Sequence, residues 1–134
     1  NVELPEIVET AIVAHEHRTR TKVSRPSRRL TPNLSQPEKI AVFRFLQEGL
    51  NNAFKHAEGK GQAVGCRLEG RRLTIEVSDT GPGLDGASAS QERLGIAGLR
   101  DRIESIGGSF ELQSSQQGTR IAIALNVEEP EAEK

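Results

Sequence analysis

In QEGLNNAFKH, residues 47–56, a polar stripe runs along an otherwise apolar helix. An α-helix turns about 100° per residue, so with Glu48 at zero Asn52 falls at roughly +40°, Lys55 at roughly −20° and Asn51 at roughly −60°. Phe43, Leu46, Leu50, Ala53, Phe54 and Ala57 gather on the opposite side. The expected helix packs one face and offers a carboxylate, two carboxamides and an ammonium on the other. Surface helices are commonly amphipathic, so this segment alone also admits a merely solvated face.

Working outward, Ser35 suits an N-cap with Pro37 in the first turn, and Gly59 to Gly61 end the helix near Ala57. Upstream, Leu4 to Ala14 has helical spacing with Pro5 in its first turn. His17 to Ser24 alternates Thr19, Thr21 and Val23 with Arg18, Arg20 and Lys22, which predicts a polar edge strand. Pro26 and Pro32 mark a connector. Downstream, strands are expected at about 62–68 and 72–79. A Gly-, Ser- and Ala-rich loop spans Thr80 to Arg93, too long for an ordinary connection. A helix from about Ile96 carries Leu99, Ile103 and Ile106 on one stripe and stops at Gly107-Gly108. Strands at about 109–114 and 119–127 follow. The pattern predicts an α+β fold, a two-layer α/β sandwich with a mostly antiparallel mixed sheet and about three helices on one face. Residues 1–127 form one domain in this reading, and 128–134 an acidic disordered tail.

Composition narrows the classes. The 134 residues suffice for one domain, and with four Phe and neither Trp nor Tyr the core must be aliphatic. A net charge of −1 gives no global pull toward nucleic acid or acidic membranes. The basic run Arg18, Arg20, Lys22, Arg25, Arg28 and Arg29 lacks interleaved aromatics for base stacking and reads as a solvated edge. His15 and His17 have no ligand cluster around them and read as surface residues. Cys66, alone, cannot form an internal disulfide and reads as a small buried hydrophobe. No apolar run reaches the ~18 residues of a membrane helix. The start at Asn1 without Met points to a fragment of a larger protein, in a soluble, reducing compartment.

Strand parity exposes two polar residues on the core side. Leu73, Ile75 and Val77 share a face with Asp79, and Ile121, Ile123, Leu125 and Val127 share one with Thr119. A core-facing carboxylate requires donors, either a ligand amine or a backbone turn. Gly81 and Gly83 flank Pro82, and Gly95 and Gly98 open the Ile96 helix, where free N–H groups can cradle phosphate.

Together these segments resemble the ATP-binding domain of sensor histidine kinases, within the gyrase, chaperone, kinase and mismatch-repair ATPase superfamily and its Bergerat-type fold. QEGLNNAFKHA resembles the N box, DTGPGL the first glycine box, LGIAGLRDRIESIGG the second, and SSQQGTRIAIAL the closing Gly-Thr strand pair. The KHA ending and the LRDRIESIGG helix are most similar to the subfamily whose response regulators carry helix-turn-helix domains. The resemblance covers about Leu4 to Val127.

It implies ATP and Mg²⁺ as cofactors and transfer of the γ-phosphate to a histidine. Asp79 would accept the adenine amine with support from Thr119. Asn52 would ligate Mg²⁺, with Glu48 beside the metal through water or as a base. Lys55 and His56 would approach the phosphates. Gly81, Gly83, Gly95 and Gly98 would shape the ATP pocket, and Thr80 to Leu94 would form a mobile lid. Two positions depart from the pattern: Arg93 stands where a glycine is usual, and Leu84 where an aromatic is. The implied partners are the parent's own dimerisation and phosphoacceptor helical domain, in a homodimer, and a response regulator, with no nucleic acid. The domain would be cytoplasmic, the parent open to membrane anchoring. Two alternatives stand beside this reading: an anti-sigma-type serine kinase on the same fold, and a degenerate nucleotide-binding or docking module.

Overall fold

In the computed structural model of the chain, residues 2–82 and 97–128 are described. Three helices and four strands occur among them: α1 (Leu4–Thr19), α2 (Gln36–Ala57), β1 (Ala63–Glu69), β2 (Arg72–Ser78), α3 (Ala97–Ser105), β3 (Ser109–Ser115) and β4 (Gly118–Asn126). The strands form one sheet in the order β1-β2-β4-β3, every pair antiparallel. α2 and α3 pack against the sheet, and α1 packs on α2. The sequence expectation of an α+β two-layer sandwich holds. The pairing is mostly antiparallel as expected: the four strands pair antiparallel, and a single parallel bridge joins Ser24 to Ala63.

α2 begins as its sequence dictates. Ser35 Oγ accepts from the Glu38 N–H at 3.2 Å, and the Glu38 carboxylate accepts from the Ser35 N–H at 2.7 Å. Two otherwise orphaned donors of the first turn are thereby satisfied reciprocally. Glu58, in the left-handed region at φ 54°, ends the helix by donating its N–H to the Phe54 carbonyl.

α1 overturns the edge strand expected over His17 to Ser24. The helix continues to Thr19, whose Oγ1 donates to the His15 carbonyl at 2.7 Å, and Arg20 closes it at φ 58°. The chain beyond is held by a clamp invisible to local alternation. Glu16 accepts from the Val23 N–H at 2.9 Å and from the Arg25 guanidinium at 2.8 and 2.9 Å. His15, read as a surface residue, is buried, with Nε2 at 2.7 Å from Gln62 Oε1.

The core lies between the helices and one face of the sheet. Val42, Phe45, Leu46 and Leu50 of α2 meet Leu73, Ile75 and Val77 of β2 and Ile121, Ile123 and Leu125 of β4. On the opposite face Arg120 pairs with Glu76 and lies 3.6 Å from Glu111, and the small Ala122 and Ala124 are buried there. Alternation therefore holds in β4 although five consecutive residues are buried. Glu128 pairs with Asn33 in an isolated antiparallel bridge, and the rest of the expected tail lies outside the described residues.

Candidate functional site

The helical wheel places the buried sector of α2 differently from the sequence reading. Phe54 is exposed, whereas Asn52 is buried at 6% exposure between Gly49, Ala53 and His56. The apolar sector is wide because α2 packs on α1 along one side and on the sheet along the other, and its sheet-facing edge takes in Asn52. Phe54 turns toward α1, with its ring edge-on to His15 at 6.3 Å between centroids.

Asn52 and His56 open, with Gly49 and Ala53, onto a narrow cleft whose other walls are Val77, Asp79, Thr119 and Ile121. Larger surface grooves exist, such as one of about 720 Å³ between α1 and α2 lined by Ile7, Ile40 and Phe43. The small cleft beside Asp79 is distinguished by convergent polar groups on apolar walls, the chemistry of a ligand site.

Asp79 follows β2 directly and keeps the inward parity of Val77. Its N–H donates to the Thr119 carbonyl at 2.9 Å, extending the β2–β4 ladder by one step. Its Oδ1 accepts from the Gly81 N–H at 3.0 Å and the Thr119 N–H at 3.3 Å. Among the described residues both donors meet the same oxygen. The backbone turn that the sequence offered as one alternative is thus present, and it orients the carboxylate rather than consuming it.

Gly81 makes this turn possible. A Cβ there would lie 2.4 Å from the Ala57 Cβ, so a side chain would push the Asp79 loop off the end of α2. The same loop is tied to the segment after α2 by Thr80 N–H donating to the Lys60 carbonyl at 3.0 Å. Thr119 Oγ1 lies 3.2 Å from Ser114 Oγ, across the β3–β4 pair.

Among the described residues, two buried atoms of cleft-lining side chains have no hydrogen-bond partner: Asn52 Nδ2 and His56 Nε2. An unmet buried polar group costs on the order of 1–3 kcal/mol, so each marks a contact completed by something else. Of the sequence candidates, the structure therefore brings Asn52, His56, Asp79 and Thr119 around one cleft, with Gly81 on its backbone. Glu48 is half-buried and Lys55 exposed on α2, and neither lines the cleft. Gly98 sits in the first turn of α3, and no atom of the described residues lies within 4 Å of where its Cβ would stand. Gly83 and Gly95, like Leu84, Arg93 and most of the proposed lid, lie outside the described residues.

Gly49 escaped the sequence reading. Its Cβ would sit 3.0 Å from Val77 Cγ2, which sets how near α2 approaches β2. A glycine inside a long helix costs about 1 kcal/mol against alanine, and that cost was the available signal of close packing.

The donor set also bears on a metal. No group of three or more His, Cys, Asp or Glu able to hold an ion occurs among the described residues. Mg²⁺ does not require one, since it is commonly held by one or two protein oxygens, substrate phosphates and water. The Asn52 carboxamide, buried at the cleft with an unpartnered end, presents nitrogen or oxygen by a half-turn and fits that role.

The cleft lies at the end of the two central strands of an antiparallel sheet, with a backbone-oriented carboxylate on one wall and a helix carboxamide on the other, an arrangement suited to a small polar-edged ligand such as a nucleotide. Residues 38–129 match the model of the histidine kinase-, DNA gyrase B-, and HSP90-like ATPases, and the chain belongs to that family. Over 92 residues, 69% of the chain, it is 35% identical to the signal transduction histidine-protein kinase/phosphatase UhpB of Salmonella typhimurium, and spans 18% of that protein's length. The blue-light activated histidine kinase EL346 of Erythrobacter litoralis superposes with a TM-score of 0.80 at 17% identity, covering 94% of this chain and 46% of that one. ShkA, solved at full length in complex with AMPPNP, gives 0.76 at 17% identity, covering 98% and 31%. At these identities the two structures speak for the fold.

Proposed function

We propose that this chain is the catalytic domain of a sensor histidine kinase, binding Mg·ATP and donating the γ-phosphate to a histidine on a separate dimerisation domain of its parent. The observation that carries the reading is Asp79: a buried carboxylate with Oδ1 fixed by two backbone N–H groups, lining a cleft together with Asn52 and His56, each of which has a buried nitrogen with no partner among the described residues. Such a carboxylate suits the exocyclic amine of adenine, with Oδ2 as acceptor and the Thr119 hydroxyl beside it. Family membership and the AMPPNP held by ShkA support a nucleotide as the ligand.

In this reading Asn52 offers its amide oxygen to Mg²⁺, which when bound neutralises phosphate charge. Glu48, one helical turn before Asn52 and outside the cleft lining, would act on the metal only through water. Lys55, exposed on the last turn of α2, supplies a cation toward the phosphates, and Gly98 leaves room at the start of α3 for phosphate to approach backbone N–H groups. Phosphoryl transfer of this kind relies on positioning and charge stabilisation. The bond from the γ-phosphorus to the bridging oxygen breaks, a bond to the acceptor imidazole nitrogen forms, ADP leaves, and the imidazole proton passes to a base outside this chain. The response regulator then takes the phosphoryl group from the parent's histidine.

Displacement of a fluorescent ATP analogue tests the binding step. ATP and ADP should displace it from the chain, and GTP should not, because its O6 acceptor would face the Asp79 carboxylate. Equal displacement by GTP, or no binding of the analogue, would contradict the reading.

A further inference from the structure

We infer that the groove between α1 and α2 is a docking site for an amphipathic helix of the parent protein, one whose apolar stripe is flanked by carboxylates. This rests on the reading of the chain as one domain of a longer kinase, and it goes beyond that reading by giving the domain a second contact surface. The groove holds about 720 Å³ and shares no lining residue with the cleft at Asp79. Its occupant would hold the domain in place without touching the nucleotide.

Apolar exposure, shape and charge all point to this occupant. The large apolar side chains left exposed among the described residues are Val2, Val13, Ile40 and Phe54, and each stands on α1, on α2 or on the residues leading into α1. Single exposed hydrophobes are ordinary, but these gather on one side of the molecule and leave the sheet free of them. Ile40 and Phe54 fall within roughly 40° of each other on the helical wheel, so they bound a stripe of roughly 21 Å along α2, about four turns. Phe43 lines the groove beside Ile40, and Ile7 and Thr10 of α1 form the facing wall. Two packed helices leave a furrow between their outward ridges, which a third helix fills with apolar anchors at i, i+3, i+4 and i+7. The lining includes Lys39 and Arg44 and no carboxylate, in a chain whose net charge is −1. Neither cation has an ion pair among the described residues. The carboxylates of α1 are engaged elsewhere: Glu9 and Glu16 hold Arg25, and Glu6 closes the capping box with Glu3. Unpaired cations beside an apolar wall select a partner that brings acidic side chains. Val2 lines the same groove, so the backbone enters the domain at its lip. A helix of the same polypeptide meets the groove at an effective concentration on the order of millimolar, for which a shallow contact suffices.

The test reads the burial of position 40 in the full-length parent. Ile40→Cys is alkylated with iodoacetamide in the parent and in the isolated chain, and mass spectrometry follows modification at that position. Arg67→Cys, on the sheet face opposite the helices, is the control. Position 40 should react about tenfold or more slowly in the parent, and position 67 at the same rate in both. Lys39→Glu combined with Arg44→Glu in the parent should restore most of the lost rate, because the reversed charges repel the partner's carboxylates. Equal rates at position 40 in parent and isolated chain overturn the inference. Protection that persists through the double charge reversal overturns the acidic helix as occupant. Protection that grows with the concentration of the isolated chain overturns it too, and gives the groove to a second copy. In the unmutated proteins, acetylation of Lys39 should likewise slow in the parent while that of Lys60 does not, so the comparison stands even where a variant folds poorly. Binding of the fluorescent ATP analogue is measured on every sample. A chain that binds none overturns the nucleotide reading, whereas unprotected Ile40→Cys in a parent that binds it overturns the docking site alone.

Discussion

Asp79 and Asn52 became visible in the sequence by different routes, and only one route was accurate. Strand parity is rigid: a residue two beyond Val77 faces the core, and Asp79 does. The helical wheel gives angles correctly but not which sector is covered, because that depends on every element packed around the helix. Asn52, counted on the polar stripe, is buried, and Phe54, counted on the apolar face, is exposed. The burial of Asn52 sharpens its predicted behaviour. If its amide oxygen ligates Mg²⁺, Asn52→Ala should weaken Mg·ATP binding by about tenfold or more, comparable to loss of a charge-assisted contact. It should change metal-free ADP binding much less. Calorimetry with and without Mg²⁺ checks this, and equal losses in both conditions would make Asn52 a packing residue. A second control is a thermal midpoint close to wild type, since alanine removes an unpartnered amide rather than a core side chain.

Among the elements, the C-terminal half of α1 departs furthest from what local pattern allowed. Thr19, Thr21 and Val23 alternate with basic residues as a strand would, yet the clamp from Glu16 to Val23 and Arg25 reaches seven to nine residues along the chain and fixes a helix end instead. Nothing in a window of alternating residues encodes such a contact. The same region predicts how stability responds to pH. Burial holds the His15 pKa below its ordinary 6.5, and the adjacent Arg18 guanidinium acts in the same direction, while the Gln62 hydrogen bond opposes both. A depressed histidine keeps its full contribution above about 6.5 and loses it as pH falls toward the folded value, because the unfolded chain takes the proton first. Glu16 is held near about 2 chiefly by its hydrogen bond to Arg25, then by the Val23 N–H. Its contribution is present above 4.5 and is lost as pH falls from there toward 2. Urea midpoints should therefore drop in two windows on acidification. His15→Gln should flatten the fall just below pH 6.5, and Glu16→Gln the fall below pH 4.5. Curves parallel to wild type in either window would remove the corresponding residue from the account.

At the scale of the molecule, four antiparallel strands under helices could be read from periodicity, turn glycines and caps, because these are local properties. The strand order β1-β2-β4-β3 could not, since it depends on β4 inserting between β2 and β3. That insertion brings Thr119 beside Asp79, 40 residues away in sequence, and so builds the cleft. No helix among the described residues is long and apolar enough to cross a membrane. The chain matches less than a fifth of UhpB's length, and the proposal assigns the acceptor histidine to a separate domain. Incubated alone with ATP labelled at the γ-phosphate, the chain should retain no label on His15, His17 or His56, because proximity of acceptor and nucleotide supplies much of such a barrier. Acid-labile label on any of the three would contradict this division of labour. The account stands most directly on Asp79. In Asp79→Asn the amide oxygen can still accept from Gly81 and Thr119, so the fold should persist, but an amide N–H then replaces the acceptor that faces the base. Titration of ATP by calorimetry into wild type and Asp79→Asn is the decisive measurement. The account predicts a loss of roughly 10- to 150-fold, the range for removing a charged buried acceptor, with the thermal midpoint little changed. ATP affinity equal in the two proteins would contradict it.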